Sequence, residues 1–551
     1  MMARRVGFAL ATSLALLACQ AAAPEHPAYA PGQLAHSGNG VVVSGAPLAT
    51  DVGAAVLEQG GNAVDAAIAT AFALAVVEPT MSGLGGRTQM LIRTPAGEFV
   101  GIDGTTEVPA LAPGEPESDE DLYGYATIGI PGTVAALAEA HARYGSQPWA
   151  ALVQPAIELA AEGFRLPPEE ANRIAGQAER LREFEGSARH FLKPDGSAYV
   201  GGERFVQADL ARTLRAVAEG GTAPFYRGWI ADSIAADMAR HGGFVRTEDL
   251  AQYRPRASIV VRGSYRGYDL VGTYLPASGA TTIEALHILE RFDLTGRAGS
   301  SAWAGLVAQA LLLAFEDRRK ELGTPEEQAE LLTSKDWAAS RAAEVRDPAS
   351  GVPVAIGVDA WDAGATPEPA HTTHLSVADG EGGLVALTQS LGPTTGSRVA
   401  TPGLGFLYAA TMGYLGAMPP GSRPWSSQSP LVVLDDGRPV YVLGAAGGRR
   451  IISAIVGVVS RLADQNPSLA QAMAAPRLHP TNETVYMESR PEASWTASDL
   501  AEVEEFGLTA VARAEASYFA RIHGIEIDAV RGTYIGVADP RWNGSARAAR
   551  R

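Results

Sequence analysis

Up to residue 371 the apolar positions fall mostly at helical spacing; from 372 onward they mostly alternate with polar ones. In the first part, residues 40–44 read as a strand and 49–60 as a helix. Residues 60–67 form a turn into a second helix that runs to 76, and 89–93 form a strand. Helices are predicted over 133–143, 148–163, most of 201–243, 281–291 and 302–319. Residues 259–271 read as a hairpin with its turn near 264–268. In the second part, 373–378 and 383–389 alternate around Asp379-Gly380-Glu381-Gly382, a hairpin signal. A second hairpin is predicted from 432–434 and 440–443, around Asp435-Asp436-Gly437. There is no internal repeat.

The ends of this pattern carry different information. Arg4 and Arg5 precede an apolar run over 6–18 that is short for a membrane span and reads as a targeting segment. It closes on Leu16-Leu17-Ala18-Cys19, like a bacterial lipoprotein signal. Segment 1–19 is therefore expected to end at a lipidated Cys19, and residues 20–35, rich in Ala and Pro, to form a tether. Gln20 in place of Asp points to a periplasmic protein anchored to the outer membrane; a secretory signal with an incidental cysteine would give a secreted one. Cys19 is the only cysteine, so no intrachain disulfide can form. The net charge of −17 excludes a nucleic-acid partner. No cofactor or metal motif stands out. The Gly83–Gly86 cluster lacks the Lys-Ser/Thr of a phosphate loop, and Glu316 and Asp317 read as the solvated or salt-bridged end of a helix.

The join between the two halves holds the candidate chemistry. Residues 352–369, rich in Pro, Gly, Asp and Ala, read as a loose arm leading to Ala370-His371-Thr372-Thr373-His374-Leu375-Ser376. Cleavage between His371 and Thr372 would leave a large fragment, 36–371, and a small one, 372–551, the pair forming a heterodimer. Thr372 would then carry a hydroxyl and a free α-amine. An α-amine titrates near ~8 and can take the hydroxyl proton, a known way of activating threonine. By itself the segment also reads as a strand entering a turn. A metal site on His371 and His374 is a third reading, disfavoured by their short spacing and the lack of an acidic companion.

From residue 40 to 541 the chain resembles the γ-glutamyltransferase family of N-terminal-nucleophile enzymes. The motifs come in the family's order: the Gly-Gly-Asn-Ala-Val-Asp-Ala-Ala run at 60–67, Gly-Ile-Pro-Gly at 129–132, and segments at 225–228, 265–268 and 276–279. Thr372-Thr373-His374 sits at the family's processing site. Arg423-Pro424-Trp425-Ser426-Ser427-Gln428-Ser429-Pro430, Gly447-Gly448, Ala475-Pro476-Arg477 and Asp539-Pro540-Arg541 follow. The resemblance implies an α+β fold, a four-layer αββα sandwich. It also implies Thr372 as nucleophile in self-cleavage and turnover, Ser390 as a hydroxyl bonded to it, and Gly447 and Gly448 as oxyanion donors. Ser426 and Ser427 would contact the donor's carboxylate end.

The same resemblance exposes departures. The family's carboxylate-binding arginine falls on Thr105. Thr411, Gly413 and Tyr414 stand where the family holds the donor's α-amine, and Gly392 stands where an asparagine is usual. Arg87 is a candidate replacement cation, with a solvent-facing side chain as the competing reading. The resemblance therefore implies an acyltransferase or amidohydrolase for a small γ-glutamyl (glutathione-like) or related acyl amide, passing the acyl group to water or to an amine or peptide. An acylase for a donor such as a glutaryl amide, and a binding lipoprotein that has lost the chemistry, are the alternatives.

Overall fold

The structure, a computed structural model, describes residues 28–113, 123–348, 372–412, 418–482 and 484–550. Two antiparallel sheets stack face to face, and one long strand belongs to both. The first sheet runs Leu34–Ser37, Thr533–Ala538, Arg521–Asp528, Arg438–Ala446, Leu431–Asp435, Tyr268–Tyr274, Arg256–Tyr265. The second continues from Arg256–Tyr265 through Phe99–Gly104, Arg87–Arg93, Leu384–Ser390, Thr373–Asp379, Gly40–Ser44 and Ser545–Ala548. Arg256, Ala257 and Ser258 pair with the second sheet, and Ile259 onward pairs with the first.

Alternation along the strands builds three apolar layers. Val41, Val43, Leu91, Ala386, Val432, Val442 and Ile525 meet between the sheets. Val42, Val385 and Leu387 point the other way, onto the helices Pro47–Glu58, Ala63–Val77 and Thr133–Tyr144. Leu443 and Ala445 pack on Gly279–Leu289, Ser301–Asp317 and Arg450–Gln465. The result is helix, sheet, sheet, helix, the αββα sandwich expected from the sequence. The helix Ala63–Val77 is buried at every position. Its small side chains let it lie close to the sheet, and Asn62 and Asp65 close its first turn as a capping box.

Several expectations shift at their edges. The tether is shorter than expected, because the chain from residue 28 is already packed. The Tyr29 hydroxyl donates to the Ala470 carbonyl, Gln33 donates to the carbonyls of Asp539 and Trp542, and Leu34–Ser37 pairs with Thr533–Ala538. The predicted helical region 201–243 holds three helices, Ala208–Gly220, Ala223–Arg227 and Trp229–His241. The strands Phe99–Gly104, Arg521–Asp528, Thr533–Ala538 and Ser545–Ala548 gave no alternation strong enough to predict. Cys19, the signal segment, the arm at 352–369, His371, Gly413 and Tyr414 lie outside the described residues.

Candidate active site

Thr372 stands immediately before the strand Thr373–Asp379, near the middle of the second sheet, and is 4% exposed. The neighbouring strand brings Ser390 beside it: the two hydroxyl oxygens are 3.1 Å apart. The Ser390 hydroxyl also accepts the Gly392 N–H at 2.9 Å, which fixes its orientation toward Thr372. The expected hydroxyl pair is therefore formed.

The next side chains anchor this strand from below. Thr373 donates to Glu78 at 2.7 Å. Arg521, 1% exposed, reaches across from the first sheet; its Nη1 pairs with Glu78 at 3.0 Å and its Nη2 donates to the Thr372 carbonyl at 2.7 Å. Burial would push the Glu78 carboxyl up, but the Arg521 and Arg173 guanidiniums and the Thr373 hydroxyl hold it below the usual carboxylate range. Glu78 is thus ionised close to where the Thr372 carbonyl is held.

His374 faces the interior. Its ring nitrogens lie 2.8 Å from the Thr388 hydroxyl and 3.1 Å from that of Ser376. Burial, reinforced by His523, holds its pKa well below the usual value, so the ring is neutral. With both nitrogens taken by hydroxyls it is not placed to ligate a metal, which removes one partner from the His371/His374 metal reading. A Cβ on Gly444 would collide with this ring, so the first sheet approaches here only because residue 444 is glycine.

Strand register places the paired glycines. Ala446 is opposite Arg521, the residue that grips the Thr372 carbonyl. Gly447 and Gly448 follow at once, in left-handed conformations (φ 143° and 60°), before the helix Arg450–Gln465 begins. This turn therefore begins one residue beyond the strand position that faces Arg521.

The serine segment is held on the other side. Gln428 donates to the Thr388 carbonyl at 2.7 Å, tying residues 426–428 to the strand that carries Ser390. The Ser426 hydroxyl bonds Gln428, its N–H donates to the Pro276 carbonyl, and its carbonyl accepts from Ser278. Ser427 is half-buried and accepts from Arg318 Nη1 at 3.2 Å. Arg423 forms a buried ion pair with Asp103 at 2.7 Å and also reaches Glu107.

Thr105 and Thr411 come together with this group but are engaged by the protein itself. Gln89 donates to Asp103 at 2.5 Å and to Thr105 Oγ1 at 2.9 Å. The Thr411 hydroxyl donates to Thr106 at 2.9 Å. Thr105 is thus tied to Gln89 and, through its N–H, to Asp103, and Thr411 to Thr106. Sequence reasoning missed Glu78, Arg521 and Arg318. Neither Arg521 nor Arg318 had a local motif to mark it. Asp317 and Glu316, at the end of their helix, are salt-bridged to Lys320 and Arg341, as expected.

The sequence profile of the γ-glutamyltranspeptidase family matches residues 49–549. The chain is 36% identical over 476 residues to the glutathione hydrolase proenzyme of Escherichia coli (strain K12), covering 80% of each. It is 34% identical over 507 residues to the acylase ACY 1 proenzyme of Pseudomonas sp. (strain SE83), covering 87% of this chain and 86% of that one. Its fold is similar to the crystal structure of cephalosporin acylase from Bacillus halodurans, with a TM-score of 0.84 and 28% identity over 96% of this chain and 99% of that one. The chain belongs to the γ-glutamyltranspeptidase family. It is a hydrolase of the N-terminal-nucleophile class, made as a proenzyme.

Proposed function

We propose that the chain cleaves itself between His371 and Thr372 and then hydrolyses or transfers the acyl group of small γ-glutamyl or related acyl amides through an ester on Thr372. One observation carries this reading: a buried threonine hydroxyl, 3.1 Å from a second hydroxyl, whose carbonyl is clamped by an ion-paired arginine. That geometry is a poor use of buried polar groups for a strand start and a good one for a nucleophile.

In self-cleavage the Thr372 oxygen attacks the His371 carbonyl carbon. The C–N bond breaks as the C–O bond forms, the freed nitrogen keeps its own hydrogen and takes up the hydroxyl proton to become the α-amine, and water opens the ester to leave a carboxylate on His371 and the restored Thr372 hydroxyl. In turnover the amine takes the hydroxyl proton as Oγ attacks the donor amide, and the proton passes to the leaving amine. Gly447 and Gly448 offer N–H groups to the oxyanion, each worth about 3 kcal/mol. Water or an amine, including a peptide amine, then takes the acyl group. Relatives named glutathione hydrolase and acylase support both a γ-glutamyl and a wider acyl donor.

Denaturing electrophoresis of the purified protein should show two fragments, the smaller beginning Thr-Thr-His-Leu-Ser. Thr372→Ala should stay whole. Full-rate turnover by an uncleaved chain would overturn the reading. The leader supports a lipid on Cys19 and a periplasmic, outer-membrane-anchored enzyme; labelled palmitate should enter the wild type and not Cys19→Ser, and equal labelling of both would refute it.

A further inference from the structure

A pocket of about 340 Å³ opens between the helices Thr133–Tyr144 and Ala223–Arg227 and the segment 253–255. Neither Thr372, Ser390 nor the serine segment lines it. One wall is the helix face Ala135, Ala138, Glu139 and Ala142, whose spacing projects all four side chains together. A second wall is built on Tyr226 and Tyr253, whose rings stack with centroids 5.8 Å apart and planes 8° from parallel. Their hydroxyls fix both rings. Tyr226 donates to the Pro131 carbonyl at 2.9 Å, and Tyr253 to the Thr105 carbonyl at 2.7 Å. Burial pushes both phenols up, so both stay neutral.

The rim of this pocket is charged. Arg227 Nη2 donates to the Ala251 carbonyl at 2.7 Å, and Arg254 Nη1 donates to the same carbonyl at 2.9 Å. Two guanidiniums thus converge on one neutral oxygen. Among the described residues neither is paired with a carboxylate, in a chain whose net charge is −17. Like charges held together repel, and a carboxylate placed between them relieves the repulsion while taking charge-assisted hydrogen bonds from both. The helix wall carries the opposite charge. Glu139 is half-exposed, and its ion pair with Arg143, at 3.8 Å, is beyond hydrogen-bond reach, so its oxygens can accept from a ligand. Between the two charged edges lie alanine methyls and tyrosine rings.

We propose that this pocket is a second binding site, for a zwitterion of the amino-acid or short-peptide class. The carboxylate sits at Arg227 and Arg254, the ammonium group at Glu139, and an apolar side chain on the alanines and tyrosines. A simple anion would leave Glu139 unused, and a simple cation would leave the two guanidiniums unrelieved. The tyrosine wall is held by its own hydrogen bonds before a ligand arrives, so little ordering opposes binding. Binding here needs no chemistry at Thr372.

The test is calorimetric titration of the full chain with four probes: leucine, glycyl-leucine, N-acetylleucine, which keeps only the carboxylate, and leucinamide, which keeps only the ammonium. At least one of the two zwitterions should bind, and about 10-fold more tightly than either singly charged probe, as expected for one lost charge-assisted bond. The double variant Arg227→Ala with Arg254→Ala should weaken the zwitterion and N-acetylleucine by at least ~10-fold. Glu139→Gln should bring the zwitterion down to the level of N-acetylleucine. Comparison with wild type removes any binding at the Thr372 site, which these variants keep. Ala138→Phe fills the apolar middle without touching a charge and should also abolish binding. Equal affinity in wild type and the double variant, a zwitterion that binds no better than N-acetylleucine, or unchanged affinity in Ala138→Phe would overturn the proposal. Urea midpoints matching wild type check that each variant is folded.

Discussion

Arg521 Nη2 lies 2.7 Å from the carbonyl oxygen of Thr372 and donates to it from the opposite sheet. The two residues are 149 positions apart in the chain. This hydrogen bond, with the Arg521–Glu78 ion pair behind it, sets where the chain turns into the strand Thr373–Asp379.

Removing the arginine should expose how much that clamp contributes. Arg521→Ala leaves Glu78 buried without its main counter-ion and the Thr372 carbonyl without this donor. A loss of about 3–5 kcal/mol is expected in denaturant unfolding. Glu78→Gln, which keeps a polar group of the same size, should lose less and should retain some self-cleavage.

The Glu78 charge also predicts an acid limb. A carboxyl held below its unfolded value contributes stability that is fully present above that value, near 4.5, and is lost as pH falls through the lower folded one. Unfolding free energy measured from pH 5 downward should therefore fall less steeply in Glu78→Gln than in wild type.

A second limb lies higher. His523 is held down to about 4, first by burial and then by Arg521. The unfolded chain takes up its proton near 6.5 while the folded one does not, so stability should decline from pH 6.5 to 4, by about 3 kcal/mol from this residue. His374, also held low, adds in the same direction. Urea titrations across this range check the slope; a flat profile would mean that neither ring is buried as a neutral group.

Gly444 should tolerate no side chain. A Cβ there would strike the His374 ring, which is fixed by Thr388 and Ser376. Gly444→Ala should lower stability by about 1–3 kcal/mol and slow self-cleavage, since His374 is two residues from Thr372. Double substitution with His374→Ala should recover part of the loss if the clash is the cause.

Ser390→Ala removes the hydroxyl 3.1 Å from Thr372. About a 10-fold fall in kcat is expected, in line with the loss of one hydrogen bond to the Thr372 hydroxyl. Ser390→Thr keeps the oxygen and should restore most of the rate. Equal rates in all three would show that Ser390 does not orient Thr372.

Much was settled locally. The period of the apolar residues separated the helical first part from the stranded second, and the turn chemistry of Asp379-Gly380-Glu381-Gly382 specified the hairpin that places Ser390 beside Thr372. Motif order gave the family, and with it Thr372, Ser390 and the paired glycines. These features depend on neighbours in sequence or on short spacings. What only the tertiary structure decided are the partners brought in from far along the chain. Arg521 reaches Glu78 and Thr372 because two sheets stack, and Arg87 turns inward because its strand is registered against Ser390. A charge in a sequence carries no label for burial. Whether an arginine meets water, a carboxylate or a substrate is fixed by the packing of strands that no local pattern describes.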